Sequence, residues 1–140
     1  MKQLILIFVA FFMAISVYAQ NGDSIIGIWF NDEKSAKIEI IKDGDFYTGK
    51  IIWLEKPTDK NGKPLVDKRN PSKEKQNRPI IGLEILSKLK YSNGEFSGLI
   101  YGPKLGKSGE CTARMNDADN LLITVSNGLL SKTKIWTRVK

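Results

Sequence analysis

Polar side chains that could hold a ligand cluster between positions 55 and 79. Asp67, Asn70 and Arg78 are the most informative of them, and Pro71 follows Asn70 directly. An arginine guanidinium binds carboxylates and phosphates through paired hydrogen bonds, so Asn70 and Arg78 could form a polar clamp that orients an anionic group. The alternative is structural: Asp67 and Asn70 cap turns, Pro71 restricts the backbone, and Arg78 pairs with Asp67. Turn chemistry accounts for all four residues and is the simpler interpretation.

A second set of candidate residues is apolar. Tyr47, Ile51 and Trp53 alternate along one predicted strand, so they are expected to share a face. Such a face usually belongs to the core, and in a barrel it can also line an apolar pocket. Trp53 is the better pocket candidate because it lies closer to the long polar segment. The predicted ligand-binding residues are therefore Tyr47, Ile51, Trp53, Asn70 and Arg78.

Residue types used in catalysis are scarce. The chain has no histidine and a single cysteine, Cys111, and it contains no nucleophile elbow, Walker loop, dinucleotide fingerprint or Cys/His metal pattern. Paired carboxylates can hydrolyse glycosides without histidine, but the aspartates here fall mainly in predicted turns. We expect no catalytic residue, no metal and no cofactor, with a carboxylate hydrolase as the third hypothesis. Cys111 is predicted to be a small buried hydrophobe.

Short strands separated by turn signals position these residues. Alternating or apolar segments occur at 25–30, 36–42, 46–54, 80–91, 96–101, 108–115, 121–126 and 132–139. Residues 84–89 could instead form one helical turn, and 55–79 reads as a long loop. Short strands at regular spacing indicate a sandwich or a barrel. The prediction is an all-β chain whose residues 20–140 form one antiparallel barrel of about eight strands.

The N-terminus indicates export. Lys2 precedes an apolar run from Leu4 to Ile15, and Val17-Tyr18-Ala19 ends the segment with a small residue. This pattern is typical of a signal peptide, so residues 1–19 are predicted to be a leader cleaved after Ala19. The run is too short for a membrane span. The mature protein is expected in the periplasm or outside the cell.

The basic residues of the chain are concentrated in one segment, which indicates the class of partner it could bind. The chain has a formal charge of +7, and residues 55–79 hold eight basic side chains against four acidic ones. This loop could simply be solvated, or it could contact an anionic partner in the cell envelope. Nucleic acid is not expected, because export argues against it and no aromatic residue stands between Trp53 and Tyr91. The oligomeric state is left open.

One end of the predicted barrel carries a recognisable triplet. Gly27-Ile28-Trp29 begins the first strand, and Arg138 lies in the last. This arrangement resembles the lipocalin and calycin signature, in which a tryptophan packs across one barrel end beneath a basic side chain. The resemblance implies structural roles for Gly27, Trp29 and Arg138, beside those of Asp67 and Pro71 in the loop.

The mature chain also resembles a bacterial family known as domain of unknown function 2147. The matching motifs are Gly27-Ile28-Trp29, Tyr47-Thr48-Gly49-Lys50-Ile51-Ile52-Trp53-Leu54, Asp67-Lys68-Arg69-Asn70-Pro71, Arg78-Pro79, Gly82-Leu83, Gly98-Leu99-Ile100-Tyr101-Gly102-Pro103, Gly106-Lys107 and Thr133-Lys134-Ile135-Trp136. The resemblance implies an exported calycin-like barrel with no established activity. The chain departs from the family pattern at Phe96, at Gly109 and in the short segment 126–130.

Two functional hypotheses follow. The first is a non-enzymatic exported barrel that binds a small, partly apolar or lipid-like molecule, with an anionic group as an option. The second is an envelope interaction module with a filled core, which uses the basic 55–79 loop. An interior cavity of roughly a few hundred Å³ favours the first hypothesis, and a filled interior favours the second.

Overall fold

The computed structural model describes residues 22–140, which form a closed antiparallel barrel. Each strand pairs with the next in sequence, and β8 returns to pair with β1. The strands are β1 Gly27–Phe30, β2 Ala36–Asp43, β3 Phe46–Leu54, β4 Glu84–Ser92, β5 Glu95–Gly102, β6 Lys107–Asp117, β7 Asn120–Asn127 and β8 Leu130–Arg138. Two 3-10 helices, η1 Gly22–Ile25 and η2 Lys73–Lys75, complete the fold. The all-β, eight-strand antiparallel barrel is confirmed.

Several predicted strand limits are corrected by turn geometry. Ile25 belongs to η1 and not to the first strand. Residues 80–83 turn rather than extend, because Gly82 adopts a φ of 94° and the Leu83 amide donates to the Ile80 carbonyl. The ambiguous segment 84–89 is strand. β8 begins two residues earlier than predicted, since Leu130 already pairs with Asn127 across a two-residue loop.

The predicted leader, residues 1–19, lies outside the described residues. Among residues 22–140, no helix has the length and apolar character that a membrane crossing requires.

The barrel has two unlike ends, which we call the base and the mouth. The base carries η1 and the turns after β2, β4 and β6, whereas the mouth carries loops 31–35, 55–83, 103–106 and 128–129. β1 pairs with β8 only at Trp29–Arg138 and Phe30–Thr137. β7 and β8 pair over their whole length, from Asn120–Thr137 to Asn127–Leu130. The wall is therefore tallest on the β7–β8 side of the mouth and lowest at β1.

The base half of the interior is filled by large side chains. Trp29, Leu89 and Phe96 are almost completely buried, and the Tyr47 ring meets the Phe96 ring edge-on at 5.5 Å between centroids. Glycine is needed at position 98 because β4 bulges toward it: a β-carbon there would lie 2.7 Å from the Ser87 carbonyl oxygen. The base half of the interior is consequently closed to solvent.

The long loop covers the β3–β4 side of the mouth. Isolated bridges pair Thr58 with Pro64 and Val66 with Pro79, and η2 lies between Asp67 and Pro79. Ile80 is buried and Leu65 packs against the core. Hydrogen bonds and apolar contacts therefore fix the loop to the barrel, while most of its charged side chains face solvent.

Candidate functional site

A buried carboxylate organises the long loop. Asp67 is fully buried. Its Oδ1 accepts a hydrogen bond from the Tyr101 hydroxyl at 2.6 Å, and its Oδ2 accepts from Asn70 Nδ2 at 2.8 Å and Arg78 Nη2 at 3.2 Å. The Asp67 amide donates to the Arg78 carbonyl at 2.8 Å. Three side-chain donors thus compensate the buried charge and bind the loop to β5.

Asn70 and Arg78 therefore occupy the positions expected from the structural interpretation of this segment. Asn70 is buried, its Oδ1 accepts from the Ser72 amide at 2.9 Å, and its carbonyl accepts from Gln76. Pro71 follows in the same turn. The Arg78 side chain is 43% exposed and borders an open groove of about 380 Å³ outside the barrel. The two residues converge on Asp67 and not on a shared space at the mouth.

Tyr101 completes the Asp67 cluster and was missed as a site residue. Burial, followed by the hydrogen bond to Asp67, raises the pKa of its hydroxyl. The available signal was its position in the Gly98–Pro103 motif, but no feature of the sequence links that motif to Asp67. Only the barrel closure brings these two distant segments together.

The prediction that Trp53 shares the inner face of β3 is wrong. Ile51 pairs with Ile38 and Trp53 with Lys37, so Ile52 is an extra residue in a β-bulge. One extra residue reverses the alternation of faces beyond it. Trp53 is 37% exposed on the outer wall, where it packs edge-on against Phe30 and lies beneath the Lys37 ammonium group, 4.9 Å from its ring centre.

Tyr47 and Ile51 do face the interior, and both are almost fully buried. The Tyr47 hydroxyl donates to Asp23 Oδ1 at 2.6 Å, so this residue belongs to the base rather than the mouth. Burial, reinforced by that hydrogen bond, raises the pKa of Tyr47 to about 12. The same contact, aided by Lys42, lowers the pKa of Asp23.

The base is closed by the triplet residues and Arg138. The Trp29 indole donates to the Ile25 carbonyl at 2.9 Å, and the Arg138 guanidinium lies 4.3 Å from the indole ring centre. Gly27 has a φ of 146°, and a β-carbon there would meet Arg138 Nη1 at 2.5 Å. The guanidinium also donates to the backbone carbonyls of Ser24, Ile26 and Ala118.

The inner face of the tall wall carries two lysines at the mouth. Residues directly opposite in an antiparallel pair point to the same side. Leu121 pairs with Trp136 and both are buried in the interior. By the same register, Lys134 opposite Ile123 and Lys132 opposite Val125 belong to the inner face. Sequence reasoning missed both lysines, although they share the alternation of Trp136.

Apolar residues and two acidic groups surround these lysines. Ile100, Gly109 and Val125 lie on the inner faces of β5, β6 and β7 and are only half-buried, so solvent reaches the interior here. Lys134 Nζ lies 3.8 Å from Asp32.

Glu33 pairs with a third lysine of this rim, Lys104. The hydrogen bond from Lys104 lowers the pKa of Glu33 most, and the charges of Lys134 and Lys132 lower it further. Three lysines and two carboxylates thus form a rim with a positive balance around an apolar wall.

Besides the groove beside Arg78, a second open groove lies outside the barrel. The second, of about 450 Å³, is lined mainly by outward side chains of β5, β6 and β7, including Ser97, Leu99 and Glu110. Neither groove is the interior pocket that ligand binding would require. The inner residues that solvent reaches in part, Ile100, Gly109 and Val125, lie at the mouth beside the cationic rim.

Reactive groups are sparse. Cys111 is buried, and this burial raises the pKa of its thiol to about 11, which suppresses thiolate chemistry. Over residues 22–140, no three Cys, Asp or Glu side chains come together as a metal-binding group.

Comparisons with known proteins agree with this architecture. A family described as an uncharacterized protein conserved in bacteria, DUF2147, matches residues 27–138. A solved structure, protein HP1028 from the human pathogen Helicobacter pylori, superposes with a TM-score of 0.72 at 25% identity over 82% of each chain, and it is described as belonging to the lipocalin family. No curated protein matches the sequence. The family match spans all eight strands, and the chain therefore belongs to the DUF2147 family and has a lipocalin-like barrel.

Proposed function

We propose that this protein is an exported, non-enzymatic barrel that binds a small, partly apolar molecule carrying an anionic group at its mouth. The observation that carries the proposal is the inner face of β5–β8, where half-buried apolar residues adjoin Lys132 and Lys134. The lipocalin-like fold supports small-ligand binding in general. Export is inferred from the leader pattern of residues 1–19.

The two parts of the mouth have separate tasks. Ile100 and Val125 would cover the apolar part of the ligand and gain free energy from the surface they bury. Lys132 and Lys134 would contact the anionic group as mobile point charges. Lys134 is already near Asp32, at 3.8 Å, and this partly exposed, long-distance pair is weak enough for a ligand anion to displace it.

The absence of catalysis is part of the proposal. A general acid or base needs a pKa near the working pH. The lysines hold the pKa of Glu33 below its usual value, so this carboxylate is ionised and acts as a counter-charge.

Titration with matched lipids tests this proposal. We expect a long-chain carboxylate to bind at least about tenfold more tightly than the alcohol of equal length, since each charged contact contributes about 1.5 kcal/mol. The double variant K132Q/K134Q should remove this preference, while K50Q/K88Q, which neutralises two exposed lysines elsewhere on the barrel, should keep it. Calorimetry supplies the affinities. Binding that is equal for acid and alcohol, or absent for both, would sink the proposal.

The second candidate function is an envelope interaction module that uses the 55–79 loop on an anionic partner. It is favoured by the packed base half and by the Asp67 cluster, which holds the loop in one shape. In this case an anionic polymer such as heparin should bind with a steep salt dependence. Substitution of Lys60, Lys63 and Lys75 by Gln should weaken that binding and leave lipid titrations unchanged.

A further inference from the structure

Exposed leucines stand on two neighbouring hairpin tips at the mouth. Leu105 lies in the β5–β6 turn and is 71% exposed, whereas Leu129 and Leu130 at the β7–β8 turn are 104% and 78% exposed. The two tips are adjacent because β6 pairs with both β5 and β7. We call these three residues the leucine tips. None of them supports the core.

Both tips are held by defined turns. Gly128 has a φ of 63° in a two-residue loop closed by the Asn127–Leu130 pair. In the other turn, the Gly106 amide donates to the Gly102 carbonyl at 2.8 Å, and Arg69 from the long loop donates to the Lys104 carbonyl at 2.7 Å. The leucines are therefore presented by ordered backbone, so binding through them would cost little ordering entropy.

Basic side chains accompany the leucine tips. Lys104 and Lys107 flank the β5–β6 turn and Lys132 follows the β7–β8 turn, all of them exposed. The neighbouring acid, Glu33, lies 3.2 Å from Lys104 in an exposed pair. Protruding apolar side chains with a basic collar match the interface of an anionic bilayer, where the chains enter the headgroup boundary and the lysines meet phosphates.

We propose that the mouth end docks on anionic phospholipid membranes, with the leucine tips inserted and Lys104 and Lys107 on the headgroups. A lipid surface fits better than a protein partner because the exposed leucines stand on two separate turns, and mobile lipid can surround each one. Leu130 opposes Asn127 and so shares the inner side of β8 with Lys132. The docking surface therefore rests mainly on Leu105 and Leu129, which lie in the turns and off the inner wall. It therefore goes beyond the proposed ligand site and can fail or hold independently of it.

A fluorescent reporter at the tip tests docking directly. Cys111 is buried, so L129C can be labelled selectively with an environment-sensitive dye, and D45C places the same dye on a base turn. Vesicles of phosphatidylglycerol and phosphatidylcholine should shift the emission of the L129C label to the blue and leave the D45C label unchanged. Pure phosphatidylcholine should give little or no shift.

Variants then separate the apolar and charged contributions in vesicle co-sedimentation. L105S/L129S should lose more than about tenfold in partitioning, since the two apolar side chains in the turns no longer insert. K104Q/K107Q should lose about 25-fold, taking roughly fivefold for each lysine near the surface. The matched control K90Q/R114Q removes two exposed charges away from the mouth and should bind like the parent. All variants carry the same N-terminal segment, so its contribution to vesicle binding is the same in each of them.

Three results would overturn the proposal. The first is an L129C label that does not respond to anionic vesicles. The second is an equal response to neutral vesicles. The third is a shift that appears without lipid as the protein concentration rises, which would assign the leucine tips to contact between two copies of this chain.

Discussion

The Tyr101 hydroxyl donates a 2.6 Å hydrogen bond to the fully buried Asp67 carboxylate and so joins β5 to the long loop. Asn70 and Arg78 complete the set of donors. This contact explains how a polar loop of this length stays folded against the barrel: its one buried charge is compensated by donors from both sides.

Removal of this hydroxyl should destabilise the protein. Y101F leaves one lone pair of the buried carboxylate without its donor, and a hydrogen bond to a charged group contributes about 1.5–3 kcal/mol. We expect a loss of about 2 kcal/mol in the free energy of unfolding, measured by urea denaturation. Y91F is the matched control, because the Tyr91 ring packs against Phe96 at 4.9 Å and keeps this contact. Equal stability of Y101F and the parent would contradict the anchoring role.

Gly106 and Gly128 form a matched pair that separates backbone conformation from close approach. Both adopt left-handed φ values, 64° and 63°. A β-carbon on Gly106 would collide with the Arg69 carbonyl, whereas one on Gly128 meets no atom within 4 Å. G128A should cost about 1 kcal/mol for the left-handed backbone alone. G106A should cost about 3 kcal/mol or more, because the loop must also move.

Thermal or urea unfolding of the two variants measures this difference. Equal losses would show that the loop does not approach Gly106 closely in solution. A larger loss for G128A would contradict the described turn geometry altogether.

Alkaline pH should lower the free energy of unfolding through Tyr47, which lies at the base. Its pKa is raised from 10.0 to about 12 in the folded protein, so the unfolded chain ionises first as the pH rises. Stability from this group is fully present below pH 10.0 and is lost between there and about 12. Y47F should lose less stability over this window than the parent. The comparison of denaturation midpoints at pH 9 and 11 isolates the tyrosine from the lysines, which both proteins share.

Low pH should also reduce the stability of the protein, in this case through the other member of the pair, Asp23. The pKa of Asp23 is lowered from 3.8 by the Tyr47 hydroxyl and by Lys42. Its contribution to stability is present above pH 3.8 and declines as the pH falls through the lowered value. D23N should therefore show a shallower loss of stability than the parent below that pH.

The Cys111 thiol should resist modification in the folded protein. Burial raises its pKa to about 11 and shields the sulfur from reagents. At pH 8 we expect alkylation only through unfolding, so the rate should rise with urea in step with the unfolded fraction. The tip variant L129C supplies an exposed thiol for comparison. Mass spectrometry that finds rapid alkylation at position 111 in native buffer would contradict the described burial.

The strand pattern by itself predicted an all-β chain of about eight short antiparallel strands, in a sandwich or a barrel, because alternation and turn residues are local properties. It also placed Trp29 and Arg138 on the first and last strands, which a closed barrel must bring together. The turn at Asn70 was readable for the same reason, since an Asx turn depends only on neighbouring residues. Asp67, which was also expected to cap a turn with its side chain, instead accepts from the side chains of Tyr101, Asn70 and Arg78.

Tertiary structure alone decided which side of the wall several residues occupy. A single bulge at Ile52 moves Trp53 to the outer surface, and bulges depend on pairing with a partner strand rather than on the strand's own sequence. The pairing of β7 with β8 assigns Lys132 and Lys134 to the inner face. The Asp67–Tyr101 contact joins residues 34 positions apart. Each of these outcomes is set by register and closure, and these arise only when distant segments meet.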